Sequence, residues 1–284
     1  MSDPSYKGVA IITGAAEGIG RGIALRLVSD GFDVAINDIP AKIDALERVA
    51  NEIRTNSSRR AISVPGDVSN ESDVKGIVEK VVQELGGLDV MIANAGIAIN
   101  KPIADTTVDE WDRLFSVNVR GTFLCYKHAA EIMVKQGRGG RIIGACSIAG
   151  KKGIPEAACY SSTKFAIRGL TQSAAQEYGK YGITVNAYAP GAIETQFLGR
   201  FDGYHANKSG LKPGEWTEAL KGGVALGKNG SPTEVASLVS YLVSKDAHFI
   251  TGTSPQGTRL RLFDPNDAVV PGQSILVDGG GLFD

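Results

Sequence analysis

A β-branched run, Val9-Ala10-Ile11-Ile12-Thr13, passes directly into Gly14-Ala15-Ala16-Glu17-Gly18-Ile19-Gly20, and a helical pattern follows at once. Three glycines in so short a turn let the chain reverse tightly and let its backbone approach another group closely. Ile19, Ile23, Ala24 and Leu27 then form one apolar helix face. Strand, glycine-rich turn and helix in succession open a βαβ unit. The free amides and dipole at such a helix N-terminus can hold a pyrophosphate. The spacing is not G-x-G-x-x-G, because three residues separate the first two glycines.

The alternation continues along the chain. Residues 9–13, 34–37, 61–64, 88–93, 141–145, 183–187 and 274–277 read as strands. Between them, helical patterns cover 19–29, 41–54, a segment capped by Ser69 or Asn70 that runs to about Leu85, two stretches near 107–115 and 117–135, then 158–178 and 232–244. Ser231 is placed as N-cap of the last, with Pro232 at its first position. Strands alternating with helices predict an α/β fold, a doubly wound parallel sheet of about seven strands with helices on both faces. The early strands are almost wholly apolar, as strands covered on both sides must be. With no repeat and no Pro-rich linker, the 284 residues predict a single domain. Two stretches fit poorly: 197–223, read as a substrate lid, and 251–272, read as an insertion before the last strand. In the second, Leu260, Leu262, Val269 and Val270 flank a turn and are candidates for a short hairpin.

Hydrophobic residues at 43% and charged residues at 21% exclude disorder, collagen and coiled coil as the main architecture. Thirty Lys and Arg against 31 Asp and Glu speak against a general nucleic-acid footprint or a polybasic membrane surface. Three cysteines make no disulfide framework and suit a reducing compartment. No stretch reaches the roughly 18 apolar residues of a spanning helix, and the polar start lacks a signal core. The expectation is a soluble cytoplasmic protein with no membrane or nucleic-acid partner.

Asp38 lies 18 residues beyond Gly20, at the end of the second strand. An acidic residue about 20 residues on from such a turn bonds the adenosine ribose hydroxyls and repels a 2′-phosphate. With Glu17 rather than a base in the turn, this favours NAD over NADP. Tyr160 and Lys164 are four apart and share a helix face, and Ser147 lies thirteen residues upstream. An ammonium beside a phenol is expected to lower its pKa from about 10, which makes a usable acid/base. A serine hydroxyl alongside can bond a substrate oxygen. Cys146 and Cys159 read as small packing residues, Lys151-Lys152 as a solvated loop, and His128, His205 and His248 lack metal-ligand spacing, so no metal is expected.

These motifs, with Asp67-Val68, Asn94-Ala95-Gly96, Asn118 and Pro190-Gly191-(x3)-Thr195 in the same order, resemble the short-chain dehydrogenase/reductases over essentially the whole chain. The resemblance implies a Rossmann-like fold, NAD(P)-dependent oxidoreduction and commonly a homotetramer. It implies Tyr160 as acid/base, Ser147 orienting the substrate oxygen, Lys164 holding the nicotinamide ribose, and Asn118 anchoring a water in a proton relay. For the cofactor it implies Gly14, Glu17, Gly18, Ile19 and Gly20 at the turn, Asp38 and Ile39 after the second strand, Asp67 and Val68 at the adenine, Asn94 and Gly96 at the ribose, and Pro190, Gly191, Ile193 and Thr195 towards the carboxamide.

Within the family, Ala145 to Gly150 and Tyr160 to Gln172 resemble the diacetyl (acetoin) reductases, also called butanediol dehydrogenases. Two departures stand out. Ile148 and Ile154, placed with Phe197 beside the substrate, are apolar where a small diol would gain from hydrogen-bonding groups. The 251–272 stretch is extra, either a loop or retained intron sequence. The resulting expectation is an NAD-dependent dehydrogenase/reductase of a secondary alcohol and its ketone, diacetyl-like or bulkier. The rivals are a 3-oxoacyl reductase and a non-catalytic NAD sensor on the same fold.

Overall fold

Strands β1 (Gly8–Thr13) and β2 (Phe32–Asn37) are buried at every position. In the computed structural model, which describes residues 6–252 and 274–278, they join β3 (Ala61–Ser63), β4 (Val90–Ala93), β5 (Gly140–Ala145), β6 (Ile183–Pro190) and β7 (Ser274–Val277). Every neighbouring pair is parallel, in the order β3-β2-β1-β4-β5-β6-β7. The expected doubly wound sheet is present.

Strand alternation divides the core in two. Ala10 and Ile12 of β1 pack with α1 (Gly18–Asp30), α2 (Ile43–Asn56) and α9 (Pro232–Val243). Val9 and Ile11 point the other way, into α3 (Glu71–Leu85), α5 (Gly121–Gln136) and the end of α6 (Ala158–Tyr178). Caps set the helix starts. Of the two expected candidates, Asn70 is the one that accepts an amide, Ser72 N–H at 3.0 Å. Ser231 and Glu234 form a reciprocal capping box at α9. Among the described residues no helix is long and apolar enough to cross a membrane.

As expected, β2 ends at Asn37, and Asp38 stands just beyond it. Two expectations are corrected. The two helices expected near 107–115 and 117–135 are one run: α4 (Val108–Leu114) enters a π-turn, Phe115–Arg120, and continues as α5. Second, the stretch that fits the alternation poorly and is read as a lid, 197–223, is mostly α7 (Gln196–Ser209) and α8 (Glu215–Leu220). Its glycines disguised it: Gly199 and Gly203 sit in α7 with nothing near enough to crowd a side chain, so sequence propensity was low while packing was indifferent. Of the 251–272 insertion, Thr251 and Gly252 bond Val185 of β6 through Thr251 Oγ1 (3.0 Å) and the Gly252 amide (2.8 Å). The rest, including the hairpin expected around Leu260 and Val269, lies outside the described residues.

One of the tightest constraints among the described residues is at Gly20. A Cβ there would strike the Gly14 carbonyl and lie 2.6 Å from Asn94 Nδ2. Gly20→Ala is therefore expected to cost about 1–3 kcal/mol, as overpacking of backbone does. Gly76, exposed within α3 with no atom near its absent side chain, gives the opposite sign: Gly76→Ala should gain about 0.5–1 kcal/mol. Thermal melts of the two variants should move in opposite directions, and a higher melting point for Gly20→Ala would overturn the packing argument.

Candidate active site

Strand order reverses between β1 and β4, so their following loops part and leave a crevice at the carboxyl ends. Hydrogen bonds fix its floor. Thr13 Oγ1 accepts the amides of Asn94 and Ala95, both at 3.0 Å. Asn94 Nδ2 donates to the carbonyls of Thr13 (2.8 Å) and Gly14 (3.1 Å), and its Oδ1 accepts the Tyr188 hydroxyl at 2.6 Å. A single cavity of about 640 Å³ runs along the crevice, lined by Asp38 and Lys42 after β2 and by Phe201 and Trp216 of α7 and α8.

At its β2 side, Gly18, Ile19 and Gly20 line the cavity at the N-terminus of α1, where no side chain caps the helix. Glu17 turns away from that role and pairs with Lys42 at 2.7 Å. Asp38 is buried. Its Oδ2 accepts the Ala16 amide at 3.2 Å and its Oδ1 the Ile39 amide at 2.9 Å, and each carboxylate oxygen has acceptor capacity left. Ile39 is exposed at the rim. Burial pushes the Asp67 carboxyl up, but the Ser69 hydroxyl and amide and the Arg113 guanidinium outweigh it and hold it below its ordinary range. Val68 is buried against Gly121. A Cβ built on Gly96 would lie 3.3 Å from Asn118 Oδ1 and 3.6 Å from Lys164 Nζ, so these three positions meet. Pro190, Gly191, Ile193 and Thr195 line the cavity after β6; Thr195 caps α7 by accepting the Leu198 amide at 3.3 Å. Uncapped amides, a carboxylate with spare lone pairs and a glycine floor that no side chain could share fit a dinucleotide. Lys42, Arg113 and Tyr188 belong to this lining and were not anticipated; only Tyr188, an aromatic in an otherwise small-residue strand, gave a signal.

Deeper in the crevice, Tyr160 and Lys164 stand one turn apart on α6, and Ser147 follows β5. All three are buried. The Ser147 hydroxyl is near enough to the Tyr160 phenol to favour its charged form, and Ser147 Oγ accepts the Ala149 amide at 3.1 Å. Lys164 Nζ donates to the Ala145 carbonyl at 2.7 Å and lies 5.4 Å from the Tyr160 ring centre. The expected lowering of the tyrosine pKa is not found. Burial pushes the phenol well above its ordinary value, and the Ser147 hydroxyl only moderates this. Burial likewise pushes the Lys164 ammonium down, to about 8. The ammonium is spent on a carbonyl, not on the phenol.

Asn118 sits in the π-turn, fully buried. Its side chain accepts the Ile97 amide (2.8 Å) and donates to the Ile97 carbonyl (2.9 Å) and Thr163 Oγ1 (3.1 Å). Its main-chain oxygen accepts the Thr122 hydroxyl at 2.7 Å. Cys146 and Cys159 are buried free thiols, and Cys146 donates to the Lys164 carbonyl at 3.4 Å.

Ile148, Ile154 and Phe197 line the same cavity. The Phe197 and Phe201 rings lie 6.1 and 6.2 Å from the Tyr160 ring. Trp216 stacks on His205 at 4.4 Å. Two polar ties hold this wall. Lys208 of α7 pairs with Glu156, a residue in the left-handed region at φ 61°. Asp202 accepts the amides of Gly214 (2.6 Å) and Thr217 (2.9 Å), which join α7 to α8.

The profile of the family described as short chain dehydrogenase matches residues 8–203. A short-chain dehydrogenase/reductase of Armillaria gallica is 48% identical over 97% of this chain and 96% of its own. An L-2,3-butanediol dehydrogenase of Corynebacterium glutamicum is 37% identical over 97% and 98%. An acetoin dehydrogenase structure from Salmonella typhimurium superposes with a TM-score of 0.78 at 32% identity, covering 97% of each chain. On the glycine turn, the sheet order and these matches together, the chain belongs to the short-chain dehydrogenase family.

Proposed function

We propose that the protein is an NAD-dependent dehydrogenase/reductase that interconverts a secondary alcohol and its ketone. The observation that carries this reading is that buried Ser147, Tyr160 and Lys164 come together in the cavity that Asp38 also lines. The nicotinamide, when bound, supplies or accepts the hydride. Ser147 bonds the carbonyl oxygen, and Tyr160 gives that oxygen its proton. The buried phenol keeps its proton at neutral pH, which is the form that reduction requires. Lys164 and Asn118 stand on the path of the replacement proton. The family's usual homotetramer, in the cytoplasm, is part of this reading. An acidic residue at position 38 disfavours the phosphorylated cofactor that a 3-oxoacyl reductase usually draws on.

Tyr160→Phe should lower kcat by at least ~10²-fold while NADH binding, followed by its fluorescence, persists. The direction of reaction should separate by pH. Oxidation needs the phenolate, whose population grows as pH rises, so its kcat/KM should climb between about pH 7 and pH 9, whereas reduction should stay level or fall. Wild-type turnover by Tyr160→Phe, or parallel pH profiles, would sink the assignment.

Cofactor choice rests on Asp38 and on the Glu17–Lys42 pair. NADH should exceed NADPH in kcat/KM. Asp38→Ser should narrow the gap, and adding Glu17→Gln, which frees the Lys42 ammonium for a 2′-phosphate, should narrow or reverse it further. A wild-type enzyme that used both cofactors equally would contradict this reading.

The α7–α8 segment acts as the lid of the site and excludes water from hydride transfer. Amide hydrogen exchange across 197–223 should slow when NADH and substrate are added together. Exchange indifferent to both would reduce the segment to a fixed wall.

A further inference from the structure

Phe197, Phe201 and His205 follow one another at four-residue steps along α7, each step about 6 Å of helix axis. The first two meet the Tyr160 ring; the third carries the Trp216 stack. Ile148 and Ile154 line the same space. The wall nearest the reacting carbon is thus apolar, and Phe197 remains 36% exposed towards the cavity although it is a large aromatic. A four-carbon diketone would leave most of this surface wet. Gln196 and Arg200 of α7 also reach this cavity, but at the far end of the aromatic row the polar group is His205. No described residue hydrogen-bonds the His205 imidazole, and burial lowers its pKa despite the nearby Glu156 carboxylate. A neutral imidazole offers one donor and one acceptor. Stacked on Trp216 at an interplanar angle of 15°, the ring is held in a fixed plane.

Resting on the reading that Tyr160 protonates a carbonyl, we propose that the substrate is a rigid cyclic ketone or alcohol, bicyclic or larger, whose apolar body lies along Phe197 and Phe201 and whose second oxygen function, remote from the reacting carbon, hydrogen-bonds His205. A rigid body loses little entropy on binding and delivers both oxygens at a fixed separation. A flexible small diol does neither.

The test is NADH-dependent turnover of diacetyl, cyclohexanone, a decalone, and the same decalone carrying a second carbonyl on its far ring. In the wild-type enzyme kcat/KM should rise roughly tenfold or more from diacetyl to the decalone, and severalfold again with the second carbonyl. Phe201→Ala should lower turnover of the decalone more than that of diacetyl. His205→Phe should abolish the gain from the second carbonyl while preserving the preference for the ring system. NADH titration of each variant checks that the nucleotide site is intact. Diacetyl reduced as well as the decalone would overturn the proposal, and an unchanged ratio of the two decalones in His205→Phe would remove the anchor. Tight NADH binding with turnover of none of the four would overturn the carbonyl-reductase reading itself, and this inference with it.

Discussion

The approach of the Gly20 backbone to the Gly14 carbonyl is the contact on which the site depends. It sets the N-terminus of α1 against the end of β4, and no residue with a side chain fits there. Asn94 reads the same spot from the other strand, donating to the carbonyls of Thr13 and Gly14. Tyr188 of β6 then bonds Asn94 across the width of β5. Each such hydrogen bond adds about 1 kcal/mol net, but an unmade one in a buried site costs more. The network therefore acts less as glue than as a gauge. It admits one separation of β1, β4 and β6, and so one width for the crevice.

That width determines the electrostatics at Tyr160. In a drier crevice both charged forms are disfavoured: the phenolate is pushed up and the ammonium down. Attraction between the two could offset this only if the ammonium pointed at the phenol oxygen. It points at the Ala145 carbonyl instead, at the end of β5. Desolvation wins, and the tyrosine remains a donor that yields its proton only to a stronger base. In the proposed reduction the developing alkoxide is such a base. The chemistry thus follows from where the lysine is tethered as much as from which residues are present.

Much of this was legible in the residues alone. α6 and β7 occupy the expected spans, because strong periodicity and clear punctuation coincide there. Ser147, Tyr160, Lys164, Gly96 and Asn118 do converge. What escaped was of three kinds. The π-turn at Phe115–Arg120 is a change of winding within a continuous helix, which hydrophobic spacing does not distinguish from a break. Lys42 and Arg113 enter the nucleotide side from distant elements, paired with Glu17 and Asp67, and only tertiary structure makes those pairs. In 197–223 the glycines outweighed a real signal: Phe197, Phe201 and His205 at four-residue intervals are a helix face, but an aromatic one directed at a cavity rather than at the core.

A helix built this way is held by its ends and its ties rather than by its interior. Only Asp202 and Ala206 of α7 are buried, while Gly199 and Gly203 lower its intrinsic preference for the helical state. Thr195 caps one end, Gly210 closes the other in the left-handed conformation, Asp202 fastens α8, and Lys208 reaches Glu156. Elements with few buried contacts open at low free energy compared with the whole domain. Ser147 and Lys164 are held by the Ala149 amide and the Ala145 carbonyl, contacts in which α7 takes no part. In the proposed reaction, rigidity and adaptability then fall to different parts of one cavity: the strand ends keep the reacting geometry, and the sparsely buried aromatic helix face is the part free to adjust to what is bound.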